Sequence, residues 1–388
     1  MDYTKRVFLG LVANCICKEK RITEIDFQKL DSDELIRLSR INTVSAIVYS
    51  ASKEFDEVPK DLLGTLREDF MKSVWKMSKY KTVLDMVAEK LAKADFPYVL
   101  VKGKTIAKCY PSEELRDMSD LDIVVPQEKF EEAKEYFLTF CEEKPIQVSH
   151  EYEISFVIDI VNIELHCNVA YKKNLSGKVD YEKYFKDISS HSVPNEGINE
   201  VEPSVGFIFD IYHMAQHFYY GGCGVRMITD IAVQIRYYEN KFDWDEILDS
   251  LKEIGLFEFA INIFSIVDDR FGIRVPSGQY KKRNIPEECI EYFVDAGIFG
   301  ASNINSDVGT IRKSDSTLRW VFPSYGYMRE YCEWFENKPA FLLPVAYVVR
   351  MFKGLGKRGG LIKGISVTEK TKKDLAKQKE IVKTMGLE

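Results

Sequence analysis

Residues 116–125 read RDMSDLDIVV, which sets three aspartates and an arginine at the start of a β-branched run. In a strand, residues i and i+2 share a face, so Asp120 and Asp122 project together while Leu121 and Ile123 enter a core. Two neighbouring anions repel. The arrangement persists cheaply where something positive lies between them, and Mg²⁺ is a hard cation that prefers carboxylate and phosphate oxygens. With 45% hydrophobic residues in 388, the chain has ample material for the core that the other face of such a strand requires.

Paired metal ions about 3.5–4 Å apart serve phosphoryl and nucleotidyl transfer by clamping the attacking and leaving oxygens. That chemistry calls for a third carboxylate on a neighbouring strand. Glu164, in IELHC, has the required alternation, and Asp159, in VIDIV, is its rival. Glu164 is preferred because Asp159 falls where a hairpin should turn, and turn aspartates commonly satisfy their own backbone. Upstream, VLVKG ends in Gly103, which lets the backbone approach a phosphate chain. Lys102 or Lys104 can neutralise phosphate charge, and the planar fork of Arg116 suits phosphate oxygens.

The surrounding chain predicts an α+β fold. Residues 1–95 form a helical N-terminal segment, with apolar residues at helical spacing in FQKLDSDELIRLSRI and VLDMVAEKLAKA. Residues 96–200 carry the sheet: a strand at Tyr98–Val101, a short helix in TIAKCYP, a strand in LDIVV, a helix in EKFEEAKEYFLTFC, and a hairpin of EISFVI and NIELHCNV turning over Asp159 to Asn162. The expected sheet is small and mixed, spanning residues 96–170, with helices against it. Residues 201–352 read as a helical C-terminal domain, and residues 353–388 as a basic tail with ten Lys or Arg against four acids. A solvated end is the default for such a tail, with weak contact to an anionic membrane or nucleic acid as its functional alternative.

VLVKGKTIAKCYPSEELRDMSDLDIVV followed by NIELHC resembles the nucleotidyltransferase superfamily related to DNA polymerase β. More closely it looks like an uncharacterised bacterial branch in which Lys-Gly replaces the usual Gly-Gly or Gly-Ser. The resemblance extends downstream through YHMAQH, VRMITDIA and FPSYGYMREY. It implies a small nucleotidyltransferase sheet with N-terminal helices, a helical C-terminal domain, and an active cleft between the sheet and that domain. It also implies a glycine turn at Gly103 for the nucleotide phosphates and metal binding by Asp120, Asp122 and Glu164. The implied activity is Mg²⁺-dependent transfer of a nucleoside monophosphate from an NTP, ATP among the candidates, to an acceptor hydroxyl, releasing pyrophosphate. The acceptor is left open among small molecules, proteins and RNA. A catalytically silent nucleotide-binding or interaction module with the same fold is the alternative. Lys104 stands where Ser is common, and the stretch from Gly103 to Asp120 is longer than usual.

Other residues are expected around this site. His166, two residues beyond Glu164, shares its face and can orient it or touch substrate. His213 and His217 stand at i and i+4 on a helix; without a third protein ligand they read as core or as a wall of the substrate pocket. Arg226 is spaced for a helical ion pair with Asp230, or contacts phosphate if its helix faces the cleft. Met214, Phe218 and Tyr219 read as core, while Trp320 and FPSYGYMREYCEWF are packing aromatics or a base-stacking surface.

Eight scattered cysteines read as reduced cytoplasmic thiols. The run VFLGLVANCIC resembles a short signal segment, yet the charged KEKR after it favours an amphipathic first helix. No stretch reaches the about 20 apolar residues of a membrane span. A net charge of −7 provides no global attraction to nucleic acid.

Overall fold

The computed structural model describes residues 1–141, 152–170, 175, 179–220, 223–297, 325, 338–347, 349 and 369–387. Trp320 and most of the aromatic segment after it lie outside the described residues, as do residues 353–368 of the basic tail.

Four helices open the chain: α1 (Tyr3–Ile16), α2 (Ser32–Ile41), α3 (Ser45–Ser52) and α4 (Lys60–Leu91). Asp2 and Asp31 cap the first two by accepting from Lys5 N and Glu34 N. The run that resembles a signal segment lies in α1, where Phe8, Val12, Ala13 and Ile16 are fully buried. Val7, Leu9 and Leu11 are also buried, so α1 is a core helix more than an amphipathic one.

The sheet follows. Strand β1 (Val99–Val101) leads through a tight turn into α5 (Gly103–Ala107); β2 (Asp120–Val124) precedes α6 (Phe130–Leu138); β3 (Glu153–Ile158) and β4 (Val161–His166) form the hairpin. A second hairpin, β5 (Ser192–Asn195) and β6 (Ile198–Val201), extends the sheet beyond the predicted residue 170, after a short helix α7 (Tyr181–Phe185). The strand order is β3-β4-β2-β1-β6-β5. The β2–β4 and β1–β6 pairs are parallel, and the β1–β2, β3–β4 and β5–β6 pairs are antiparallel.

Alternation assigns each face. Leu100, Leu121, Ile123, Ile163, Leu165 and Phe156 pack with Met77, Tyr80, Leu84 and Val87 of α4 and Phe137 of α6. On the opposite face Val99, Val101, Val124 and Val201 join a larger core with the helices after the sheet. These are α8 (Pro203–Tyr220), α9 (Val225–Tyr237), α10 (Trp244–Glu253), α11 (Phe257–Phe271), α12 (Glu287–Ala296) and, near the chain end, α13 (Glu369–Thr384). The same core holds α1, α2 and α3, and α4 links both cores because its Leu62 and Leu66 belong to the larger one. Ile381, Val382, Met385 and Leu387 are buried in it as well, so the last part of the basic tail is docked, not frayed.

Asn42, just after α2, is fully buried. Its Nδ2 donates to Leu38 O at 3.0 Å and Val294 O at 2.9 Å, and its Oδ1 accepts from Val225 N at 2.7 Å. It therefore satisfies an otherwise orphaned donor in the first turn of α9. No helix among the described residues is long and apolar enough to cross a membrane.

Candidate active site

The parallel register pairs Asp122 with Glu164 and Asp120 with Asn162. Asp122 and Glu164 thus stand side by side on the face turned towards α8 and α9, with Asp120 at the exposed end of β2. Asp159 is elsewhere: it turns the β3–β4 hairpin at φ 55° and pairs with Lys79 at 2.8 Å.

A cleft of about 380 Å³ opens over these acids. Asp120, Asp122, Glu164, Lys102, Gly103 and Arg116 line one side, and His213, His217, Met214, Arg226, Met227 and Ile231 of α8 and α9 line the other. It therefore lies between the sheet and the C-terminal helices. Lys104 is not among its lining residues; its Nζ binds Glu113 Oε1 at 2.7 Å. His166 is buried behind the acids, with Nε2 3.4 Å from Asp122 Oδ1 and 3.6 Å from Glu164 Oε2.

Charge in the cleft is closely matched. Lys102 Nζ lies 3.0 Å from Asp122 Oδ1. Burial alone would push the Asp122 carboxyl up, but Lys102 and His166 beside it hold it well below the usual carboxylate range. Asp120 is pushed up, by burial first and then by Glu164, with the Arg226 charge only partly opposing this. For His166 burial works towards neutrality, yet the two facing carboxylates outweigh it and lift the imidazole to about 9. Burial raises Asp210, a cleft residue on α8, to about 7, and Gln234 Nε2 donates to it at 3.0 Å.

The cations are arranged differently from the sequence expectation. Asp230 does not pair with Arg226 on its own helix. It accepts from Arg116 Nε at 2.9 Å and Nη2 at 3.1 Å, and from Tyr110 at 2.7 Å. Two nitrogens of Arg116 are thereby committed within the protein. Arg226 donates from Nη1 to Asp117 O at 3.0 Å, while its buried Nε has no partner. His213 and His217 share a contact of 3.0 Å between their Nε2 atoms, and burial, then the Lys102 charge, keeps His213 neutral far below its ordinary value.

Several cleft residues escaped the sequence reading, Met227 and Ile231 among them. Asp210 was visible in principle, because Asp210, His213 and His217 fall at i, i+3 and i+7 on one helical face. Thr43 and Lys76 also line the cleft, and they come from the N-terminal helices, where no local pattern marks them. The buried Thr43 hydroxyl has no partner.

The donor set fits a divalent cation. Asp122, Glu164 and His166 each present a ligand atom, all within 4.8 Å of one another, and the buried His166 Nε2 forms no hydrogen bond. Carboxylate oxygens from two adjacent strands are the donors Mg²⁺ prefers, and the imidazole nitrogen adds a softer one.

A model of the family described as uncharacterised nucleotidyltransferases matches residues 28–272. No curated protein matches the chain. Among solved structures, the Megavirus polyadenylate synthase is similar at 13% identity and a TM-score of 0.29, over 66% of this chain and 53% of the viral one. The chain thus spans about half the length of that viral protein. The match over most of the chain, including every strand of the acidic cleft, places it in the family of uncharacterised nucleotidyltransferases.

Proposed function

We propose that the cleft transfers a nucleoside monophosphate from an NTP to an acceptor hydroxyl in a Mg²⁺-dependent reaction that releases pyrophosphate. The observation that carries this reading is the side-by-side placement of Asp122 and Glu164 in a cleft also lined by Lys102 and Arg226. Asp120, Asp122 and Glu164 would hold the metal, which when bound neutralises charge developing on the phosphate oxygens. Glu164 would also help activate the acceptor hydroxyl by accepting its proton. The backbone at Gly103, Lys102 and the uncommitted nitrogens of Arg226 address the triphosphate, and Met214, Met227 and Ile231 offer apolar surface to a nucleoside. The acceptor, a small alcohol, a protein side chain or an RNA end, would approach from the exposed Asp120 end. Buried free thiols such as Cys109 and Cys223 suit a reducing, cytoplasmic setting.

A second reading has its own support. Lys102 and His166 already compensate Asp122 and Glu164 without a metal, as a silent nucleotide-binding module would require. The test is Mg²⁺-dependent binding of ATP, CTP, GTP and UTP, followed by pyrophosphate release with an acceptor panel. Transfer lost by at least 100-fold in Asp122→Asn and Glu164→Gln is the expected result. Binding without turnover would favour the silent module, and metal-independent binding indifferent to both substitutions would remove the proposal.

A further inference from the structure

The residue before the glycine turn has a backbone that L side chains rarely adopt. Lys102 sits at φ 54°, ψ −141°, between β1 and α5. Glycine takes such a conformation freely, whereas a side chain there is strained. The turn itself gives no reason for a lysine, so the reason must lie at the end of the side chain.

That end is an ammonium 3.0 Å from Asp122 Oδ1 and 5.6 Å from the centre of the Phe209 ring, with only 20% of the side chain exposed. A fixed positive charge therefore stands at the carboxylate that a pair of divalent ions would have to share. With His166 neutral as a metal ligand, one divalent ion and one ammonium together balance Asp120, Asp122 and Glu164. A second divalent ion at Asp122 would meet a like charge already seated on its ligand.

We infer that Lys102 is a built-in replacement for one of the two metal ions, so that the site takes a single divalent ion, held among Asp120, Asp122 and Glu164. The inference rests on the nucleotidyltransferase reading. It assigns the strained lysine a role in the metal centre as well as in phosphate neutralisation. In the transfer reaction the ammonium would stabilise oxygen charge from a fixed position, without the dissociation that limits a weakly held second ion.

The test counts Mn²⁺ ions bound to the full chain, by electron paramagnetic resonance of free Mn²⁺, with pyrophosphate present as a base-independent probe. The wild-type chain should bind one ion, and both Lys102→Gly and Lys102→Met should bind two. The Gly variant should also melt at a higher temperature than the Met variant without metal, because both lack the ammonium and only the Gly variant is free of the backbone strain. The Met variant keeps the side-chain bulk and separates charge from strain. Two ions on the wild-type chain would overturn the inference, showing that Lys102 yields its place, while the transferase reading would stand. One ion on all three chains would overturn it equally. Ion binding unaffected by Glu164→Gln would instead sink the transferase reading beneath it.

Discussion

Asp230 accepts three hydrogen bonds from Arg116 and Tyr110 in a buried setting. Burial opposes the guanidinium charge, but Asp230 more than compensates and holds Arg116 above its ordinary value. Removing one partner leaves an uncompensated charge, so Arg116→Ala should lower unfolding free energy by about 3–5 kcal/mol in urea titrations. Arg116→Met with Asp230→Leu should recover most of that loss, since apolar pairs often replace buried ion pairs without penalty. Asp210 provides a pH signature. The unfolded chain holds this proton only below about 4, the folded chain up to about 7. Between those values the folded state binds more protons, so its stability falls as pH rises, by on the order of 4 kcal/mol across the window. In metal-free protein, Asp210→Asn should flatten that slope and be the more stable form at pH 8, measured by urea denaturation at a series of pH values. A slope unchanged by the substitution would assign the titration elsewhere.

Strands β1 to β4 were legible because each is a β-branched or aromatic run bounded by Pro, Gly or turn residues. The second hairpin was not. Each of its strands has four residues, one contains Pro194, which is confined to an edge, and charges interrupt the alternation. Its signal was the turn, since Glu196 and Gly197 both take positive φ, at 49° and 85°, as a two-residue hairpin of the type I′ class requires. At the other extreme, the net charge of the tail concealed apolar residues at helical spacing. Ile381, Val382, Met385 and Leu387 are each at most 5% exposed, and Asn262 donates to Thr384 O at 3.2 Å. Ending the chain at residue 368 should therefore remove several kcal/mol of stability, at about 1.5–3 kcal/mol per buried side chain as an upper bound. A truncated chain that melts at the wild-type temperature would return the tail to a solvated end.

For the whole molecule, local pattern located the acids but not their long-range partners. The D-x-D and h-E-h strands announce Asp120, Asp122 and Glu164 because alternation within a strand is a local property. The pairing of Arg116 with Asp230 joins residues 114 positions apart, and the approach of Thr43 and Lys76 to the cleft depends on how the N-terminal helices pack. Helical spacing pointed instead to Arg226 and Asp230, a reasonable partner on an isolated helix that tertiary contacts displaced. The two helical ends of the chain share one core, so the sheet alone has no closed hydrophobic face.

The amide of Asn42 meets α2, α9 and α12 at once. One side chain thus works as a dowel, pinning the first turn of the cleft's roof to the N-terminal bundle, beside the ties that Asp230 and Arg226 make to the segment entering β2. The aperture between Arg226 and the acids is consequently set from the N-terminal bundle as well as from the sheet side, and motion of that bundle would be felt there as a change of grip.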